Sequence, residues 1–324
     1  MTAFLINRVF QSFLVVLAMS LIVFVGVYAI GDPVEILINP DADQATREAV
    51  TRALGLDQPL HIQYLAFLGS ALQGDLGTSF AFDVPAIELI LTRLPATLEL
   101  ALTATLLAVI IGIPLGLAAG LGEGRWWSRT IMAGSIVGFS LPSFWVGLLL
   151  ILTFGIWLGW LPVFGRGDTR MLFGVEWSFL TLDGLSHLIL PALNLALFKI
   201  ALFIRLTRAG VREVIPQDYV RYARAMGIHP ARILTRHILK NIMIPLVTVI
   251  GIEFGSIIAF AVVTESIFNW PGMGKLIIES IGRLDRPVIV AYLMVIVVMF
   301  VLINLIVDLL YAALDPRVRL GARA

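Results

Sequence analysis

The sequence predicts an all-α integral membrane protein: six transmembrane helices, a basic cytoplasmic loop between the fourth and fifth, and a helical external insert after the first. Three observations lead there. Of 324 residues, 59% are hydrophobic and 14% charged, where soluble domains carry about a quarter charged. The mean hydropathy is +0.95. The apolar residues gather into six runs, each near or above the roughly 20 residues that a helix needs to cross a bilayer core.

The first run, Val9 to Ile30, is stopped by Gly31-Asp32-Pro33. It exceeds the roughly 7–15 apolar residues of a signal peptide, and Tyr28-Ala29-Ile30-Gly31-Asp32 is a poor cleavage site, so it is expected to stay as a helix. The second, Thr97 to Leu121, ends at Gly122-Glu123-Gly124, and the third, Ile131 to Leu161, is interrupted by Pro142. Small residues in these two (Gly112, Gly116, Ala119, Gly120; Gly134, Gly138) allow close helix approach in lipid. The fourth, Leu188 to Leu206, follows Ser186-His187; the fifth is Ile242 to Val263; the sixth, Val288 to Leu314, ends at Asp315-Pro316. The chain thus divides into an N-terminal span (1–30), an insert (31–94), a five-helix core (95–314) that includes the loop 211–240, and a short tail (315–324).

The insert is too long for a plain connector. Asp43 is expected to cap a short helix that runs to Leu54 and stops at Gly55. Pro59 starts a second helix, with Leu60, Tyr64, Phe67 and Leu68 on one face, and Gly74 to Ser79 is a turn-rich break. A folded cap over the bundle explains the insert, and a docking surface for an external partner is compatible with it. Lys and Arg set the orientation: 14 fall on the side of the N-terminus and 8 on the other, so both termini and the basic loop are expected in the cytoplasm. The insert, with nine acids against three arginines, is expected outside.

From Arg221 to Lys240 the basic loop holds Arg221, Arg224, Arg232, Arg236 and Lys240, with His229 and His237 interleaved and no acid. Pro216 and Asp218 suit the start of a helix. Tyr219, Tyr222, Ala223 and Met226 then share one face, with Arg221 and Arg224 on another; Ala225 completes the turn, Gly227 breaks the helix and Pro230 opens a second one. The arginines alone would read as an anchor on anionic lipid. Aromatic and small residues beside a turn suit insertion into a partner's groove.

Several chemistries are excluded. Cysteine is absent, so there is no disulfide or thiolate site, and four scattered histidines form no metal cluster. No Gly-x-x-x-x-Gly-Lys-[Ser/Thr] phosphate loop occurs; Gly272-Met273-Gly274-Lys275 ends in Leu276. A membrane-embedded hydrolase would need paired deep acids, a nucleophile with a base, or His-Glu-x-x-His, and an ion-coupled transporter would not need the basic loop. Net charge is only +1 and gives no sign of a nucleic-acid partner.

The segment DYVRYARAMG resembles the peptide-transporter form of the EAA coupling loop of ABC importer permeases, with Ala223 and Gly227 at that pattern's Ala and Gly; Arg221 and Tyr222 stand at its Glu and first Ala. The stretches Phe4 to Val9, Gly74 to Ser79, Pro95 to Leu100, Gly112 to Gly116, Ser140 to Trp145, Leu158 to Pro162, His187 to Ala192, Glu265 to Gly274 and Leu314 to Arg317 are similar to that family's landmarks in the same order. The chain is identified as resembling the B-type permease of a dipeptide/oligopeptide importer, with the type I ABC importer permease fold. The resemblance implies a homologous C-type permease, two cytoplasmic ABC ATPases that use ATP and Mg, an extracytoplasmic binding protein, membrane lipid as surroundings, no cofactor on this chain, and a bacterial inner-membrane location. It implies ATPase contact through Tyr219, Arg221, Tyr222, Ala223, Arg224, Ala225, Met226, Gly227, His229 and Pro230. Relatives carry dipeptides, longer peptides, glutathione, nickel complexes or haem, and the cargo stays open.

Glu253 lies mid-span, where a carboxylate costs about 2.5–3.5 kcal/mol and so faces protein or water. A place on the translocation path and a structural pair are both open. Asn194, Ser256 and Thr264 are the other path candidates, though Asn194, like Asn304, suits an interhelical hydrogen bond. Lys199 is expected to snorkel towards the cytoplasm. Glu265 sits at the external end, where capping and gating are both open.

Overall fold

The computed structural model describes residues 2–29, 43–53 and 55–314. The Gly31-Asp32-Pro33 and Asp315-Pro316 stops, Leu54 and the tail lie outside the described residues. The helices are α1 (Thr2–Ala29), α2 (Gln44–Ala53), α3 (Leu60–Leu72), α4 (Ala86–Leu121), α5 (Trp126–Ser140), α6 (Ser143–Trp157), α7 (Leu182–Val214), α8 (Asp218–Ala225), α9 (Pro230–Ile267), α10 (Met273–Gly282) and α11 (Arg286–Leu314). Two of them carry π-helical stretches, Ile151–Trp157 in α6 and Ile233–Leu239 in α9. Five helices are long and apolar enough to cross a membrane, and the bent pair α5–α6 brings the number to six.

That pair corrects the third span. One interrupted helix was expected over Ile131 to Leu161, but α5 and α6 meet at 105°. The residue before a proline is pushed out of the helical region, and Leu141 (φ −87, ψ 135) and Pro142 (φ −60, ψ 134) are both extended. A second departure lies in the loop before α7. There β1 (Arg170–Leu172) and β2 (Val175–Trp177) pair antiparallel across Phe173 and Gly174, both at positive φ, a two-residue hairpin turn that the mostly helical pattern gave no reason to expect.

The chain divides into two compact units, one holding Ala96–Pro271 with the end of α11, the other Thr2–Pro95 with Gly272–Leu302. In the first, α7 is the central element. Leu188, Leu190, Ala192, Ala196, Ile200, Phe203, Ile204 and Val211 are all buried along it. Thr181 caps its start by accepting from the Gly184 N–H, and Pro191 lies inside it. The glycine stripe of α4 sets how closely α7 packs. A Cβ on Gly112 would come within 2.8 Å of Phe203 Cβ, on Gly116 within 2.6 Å of Thr207 Cβ, and on Gly120 within 2.7 Å of Val211 Cβ. Gly134 and Gly138 do not share this role, since a Cβ on either meets nothing within 4 Å.

In the second unit, α2 is capped as its sequence dictates: the Thr46 N–H donates to Asp43 Oδ1 at 3.1 Å. Those hydrogen bonds from Thr46, side chain first, hold the Asp43 carboxyl below its ordinary range. Gly55 at φ +67 closes the helix. The turn at Gly77–Ser79 is fastened by Asp285, which is wholly buried. Its carboxylate accepts from the Ser79 hydroxyl and from the N–H groups of Phe80 (3.1 Å) and Ala81 (3.3 Å).

Candidate functional site

The segment from Asp218 to Pro230 is built from its own backbone outward. Helix α8 ends in a Schellman turn: the Ile228 N–H donates to Ala223 O (3.1 Å) and the Gly227 N–H to Arg224 O (3.0 Å), with Gly227 at φ +72. A Cβ on Gly227 would meet nothing within 4 Å, so the need for glycine here is conformational and not steric. His229 caps the next helix, its Nδ1 accepting from the Ala231 N–H, with Pro230 in the first turn.

Packing then decides what α8 shows. Val220 and Ala223 are buried among Ile113, Val211, Ile233, Ile238, Ile242 and Leu246. Ala223 therefore departs from the expected arrangement: it anchors the helix instead of standing with the aromatic residues on an open face. Tyr222 (67%) and Met226 (64%) are exposed. Tyr219 is partly held, its hydroxyl accepting from Asn241 Nδ2 at 2.9 Å. Arg221 stands 3.9 Å from Asp218, both well exposed. Arg224 and Ala225 are exposed as well.

The path candidates separate into two groups. Glu253 pairs with Lys199, whose Nζ also donates to Ser256 Oγ at 3.2 Å. Lys199 thus does not snorkel. A partner on α9 offers its ammonium more than a distant interface does, and both side chains of the pair are largely withdrawn (12% and 21% exposed). Asn194 and Thr264 are bonded to each other, Nδ2 to Oγ1 at 2.8 Å, and both are buried. Asn194 Oδ1 has no hydrogen-bond partner among the described residues. Asn194, Lys199 and Ser256 line a cavity of about 400 Å³ whose other walls include Leu141, Pro142 and Phe260. The bend at Pro142 and the polar cluster therefore face the same space.

Residues 112–320 match the family described as binding-protein-dependent transport system inner membrane component, and residues 1–101 match that family's N-terminal region. The chain belongs to this family. The permease is 39% identical over 305 residues to the di/tripeptide transport system permease DppB of Pseudomonas aeruginosa strain UCBPP-PA14, covering 89% of this chain and 90% of that one. It is 38% identical over 320 residues to the glutathione transport system permease GsiC of Escherichia coli strain K12, covering 98% and 99%. An inward-facing structure of the MetNI methionine ABC transporter aligns with a TM-score of 0.55 at 17% identity, over 70% of this chain and 96% of that one, a likeness of fold alone. The permease is thus a multi-pass bacterial inner-membrane subunit of an ABC importer, a class that works with ATPase subunits and a binding protein.

One cluster was not assigned a role from the sequence. Glu99 of the permease, 2% exposed, accepts from Arg166 Nη2 (2.6 Å) and Nε (3.1 Å) and from the N–H groups of Ser178 (2.7 Å) and Phe179 (2.8 Å). Arg166 also donates to Glu176 O at 2.7 Å and lies 5.8 Å from the centroid of the Trp270 ring. Glu265, fully buried, accepts from the Thr97 hydroxyl at 2.7 Å. The available signal was an acid two residues into the apolar run that starts at Thr97, where it requires a partner. Glu265 is thereby placed as a buried acceptor.

The Lys199–Glu253 pair yields a direct prediction. Removing one member of a buried pair strands the other, at about 3–5 kcal/mol when burial is complete and less for a partly exposed pair, whereas replacing both is close to neutral. Lys199→Met alone and Glu253→Gln alone are therefore expected to lower the yield of assembled transporter, and the double variant to recover most of it. Wild-type yields from both single variants would show that the pair contributes nothing to assembly.

Proposed function

We propose that this permease forms one half of a transmembrane path for short peptides, opposite a homologous permease, and that an ATPase groove receives the turn from Tyr219 to Pro230. The observation that carries this reading is the coupling turn: an exposed Tyr222–Met226 face on a short helix anchored by Val220 and Ala223 and stopped by a glycine at φ +72. A segment fixed on its inner side and open on its outer side can pass a push from an ATPase into α9, which follows it directly. The relatives named for di/tripeptide and for glutathione transport support a peptide-like cargo. The polar wall of Asn194, Lys199 and Ser256 offers hydrogen bonds to such a cargo, and the loop charges support cytoplasmic termini.

Valine at position 227 must adopt a left-handed conformation, which costs an L-residue roughly 1–2 kcal/mol and is worst for a branched side chain. Gly227→Val is expected to leave the permease in the membrane but to uncouple it, with ATP hydrolysed without uptake or the ATPases bound weakly. Gly227→Asn, which tolerates this conformation, should retain more activity. Substrate-stimulated ATP hydrolysis measured beside uptake in proteoliposomes reads both, and normal coupling in Gly227→Val would reduce the loop to a lipid anchor. In the same vesicles, a dipeptide or glutathione presented by the cognate binding protein should stimulate hydrolysis, and stimulation only by a nickel complex or haem would overturn the cargo. Orientation is checked by thiol labelling: Thr46→Cys should react from outside the cell, and reaction from the cytoplasm alone would invert the topology.

A further inference from the structure

Helix α3 is unusual within the insert. Leu60–Leu72 contains no charged residue, and none of its residues is buried. Leu60, Leu65 and Leu72 are 62%, 64% and 84% exposed. Helix α2, in the same insert, carries Arg47, Glu48 and Arg52 as a water-facing helix does. An uncharged helix that is mostly apolar around its circumference suits a protein core or a membrane, and α3, with no buried residue, is not in a core.

Its position along α1 points to the membrane. The Tyr64 hydroxyl is hydrogen-bonded to Ser20 Oγ at 2.9 Å. The Tyr64 and Phe67 rings lie 5.4 and 5.9 Å from that of Phe24. The apolar window of α1 is Ile6–Gly26, so Ser20 lies six residues inside its end, about 9 Å at 1.5 Å per residue. Helix α3 is therefore beside the membrane-crossing part of α1 and not above it. At this level α1 is itself open, with Ile22 61% and Val25 59% exposed. A cavity of about 420 Å³ opens next to α3, with Phe24, Ile62, Ala66, Phe67, Pro287 and Val290 among its walls.

We propose that α3 is embedded in the bilayer leaflet at the C-terminal end of α1, with its open face against lipid acyl chains, and that one such chain enters the cavity at Ala66. Lipid is the occupant because the exposed face of α3 continues the exposed apolar face of α1 at the same depth and carries no charge. A protein partner would leave a polar rim; within Leu60–Leu72, Gln63 is bonded to Leu56 O and Gln58 O and Tyr64 to Ser20, which leaves His61 and Ser70 as its exposed polar side chains.

The chain has no cysteine, so single labels can be placed without altering a background. Nitroxides at Leu65→Cys and Ala66→Cys, with Thr46→Cys as the water-facing reference, are introduced into the assembled transporter in phosphatidylethanolamine–phosphatidylglycerol nanodiscs. Collision with molecular oxygen should exceed collision with a water-soluble nickel chelate at 65 and 66, and the order should reverse at 46. Nickel-dominated collision at 65 would place α3 in water, and exclusion of both reagents there would mean that a protein surface covers it. Either result overturns the lipid assignment. Loss of oxygen access at 66 alone would overturn the acyl chain in the cavity.

Discussion

Glu99→Ala should lose most of the assembled permease. The carboxylate is the common acceptor for the Arg166 guanidinium and for the Ser178 and Phe179 N–H groups; Glu99 and Ser178 are buried and the guanidinium is largely withdrawn from water. Alanine leaves a partly buried cation and two backbone donors without their acceptor. Stranding one member of a buried pair costs about 3–5 kcal/mol, a large fraction of the roughly 5–15 kcal/mol that holds a typical domain together. Glu99→Gln keeps one oxygen and should fall between the two. The measurement is the fraction of monodisperse complex surviving a temperature ramp in detergent. Arg166→Ala in the Glu99→Ala background should add little further loss, because the interaction is already gone. Wild-type yield and thermal midpoint in Glu99→Ala would remove the clamp from the account of this fold.

Gly116→Ala should be nearly as damaging, although it adds a single methyl. That methyl would sit 2.6 Å from Thr207 Cβ and 2.8 Å from the Ile204 carbonyl oxygen. Neither neighbour is the free end of a flexible side chain, so α4 and α7 must separate. Overpacking of this kind costs about 1–3 kcal/mol. Dispersion contacts along the Gly112–Gly116–Gly120 stripe are lost together, and in lipid these are a main source of helix association. Gly116→Leu should be worse than Gly116→Ala. Thr207→Gly added to Gly116→Ala should rescue part of the loss and not all, since the Ile204 carbonyl remains. Gly134→Ala is the internal control: the space around it is open within this chain, and it should leave the thermal midpoint of the isolated permease unchanged. Equal midpoints for Gly116→Ala and Gly134→Ala would contradict the close packing of α4 on α7.

Much of this architecture was legible in the chain because the bilayer removes alternatives. Hydrocarbon leaves helices as the only open way to satisfy the backbone, so apolar run length by itself located the spans. Punctuation was equally local. Gly227 after Tyr222–Met226, Pro230 opening the next helix and Asp43 before Gln44 act within a few residues of themselves, and the structure forms each as the sequence dictates. The helix–turn–helix of Asp218 to Pro230 was readable for the same reason, down to its glycine.

Contacts across the sequence were not readable. Nothing near Ala223 says that it packs on Val211 and Ile242 and not beside Tyr222; at this end of the bundle that depends on where α7 and α9 lie. Lys199 and Glu253 are 54 positions apart and Glu99 and Arg166 are 67. The cost of a charge at depth required that each have a partner, but not which one. The bend at Pro142 was visible as an interruption, while its angle of 105° was not. The sequence by itself determined a membrane-spanning helical permease, the order of its helices and the glycine-stopped turn at Gly227, since these follow from local backbone chemistry and from the bilayer as solvent. Only the tertiary structure decided which acids are clamps, which glycines set helix spacing and which face of α8 is open, because those depend on distances between residues far apart in the chain.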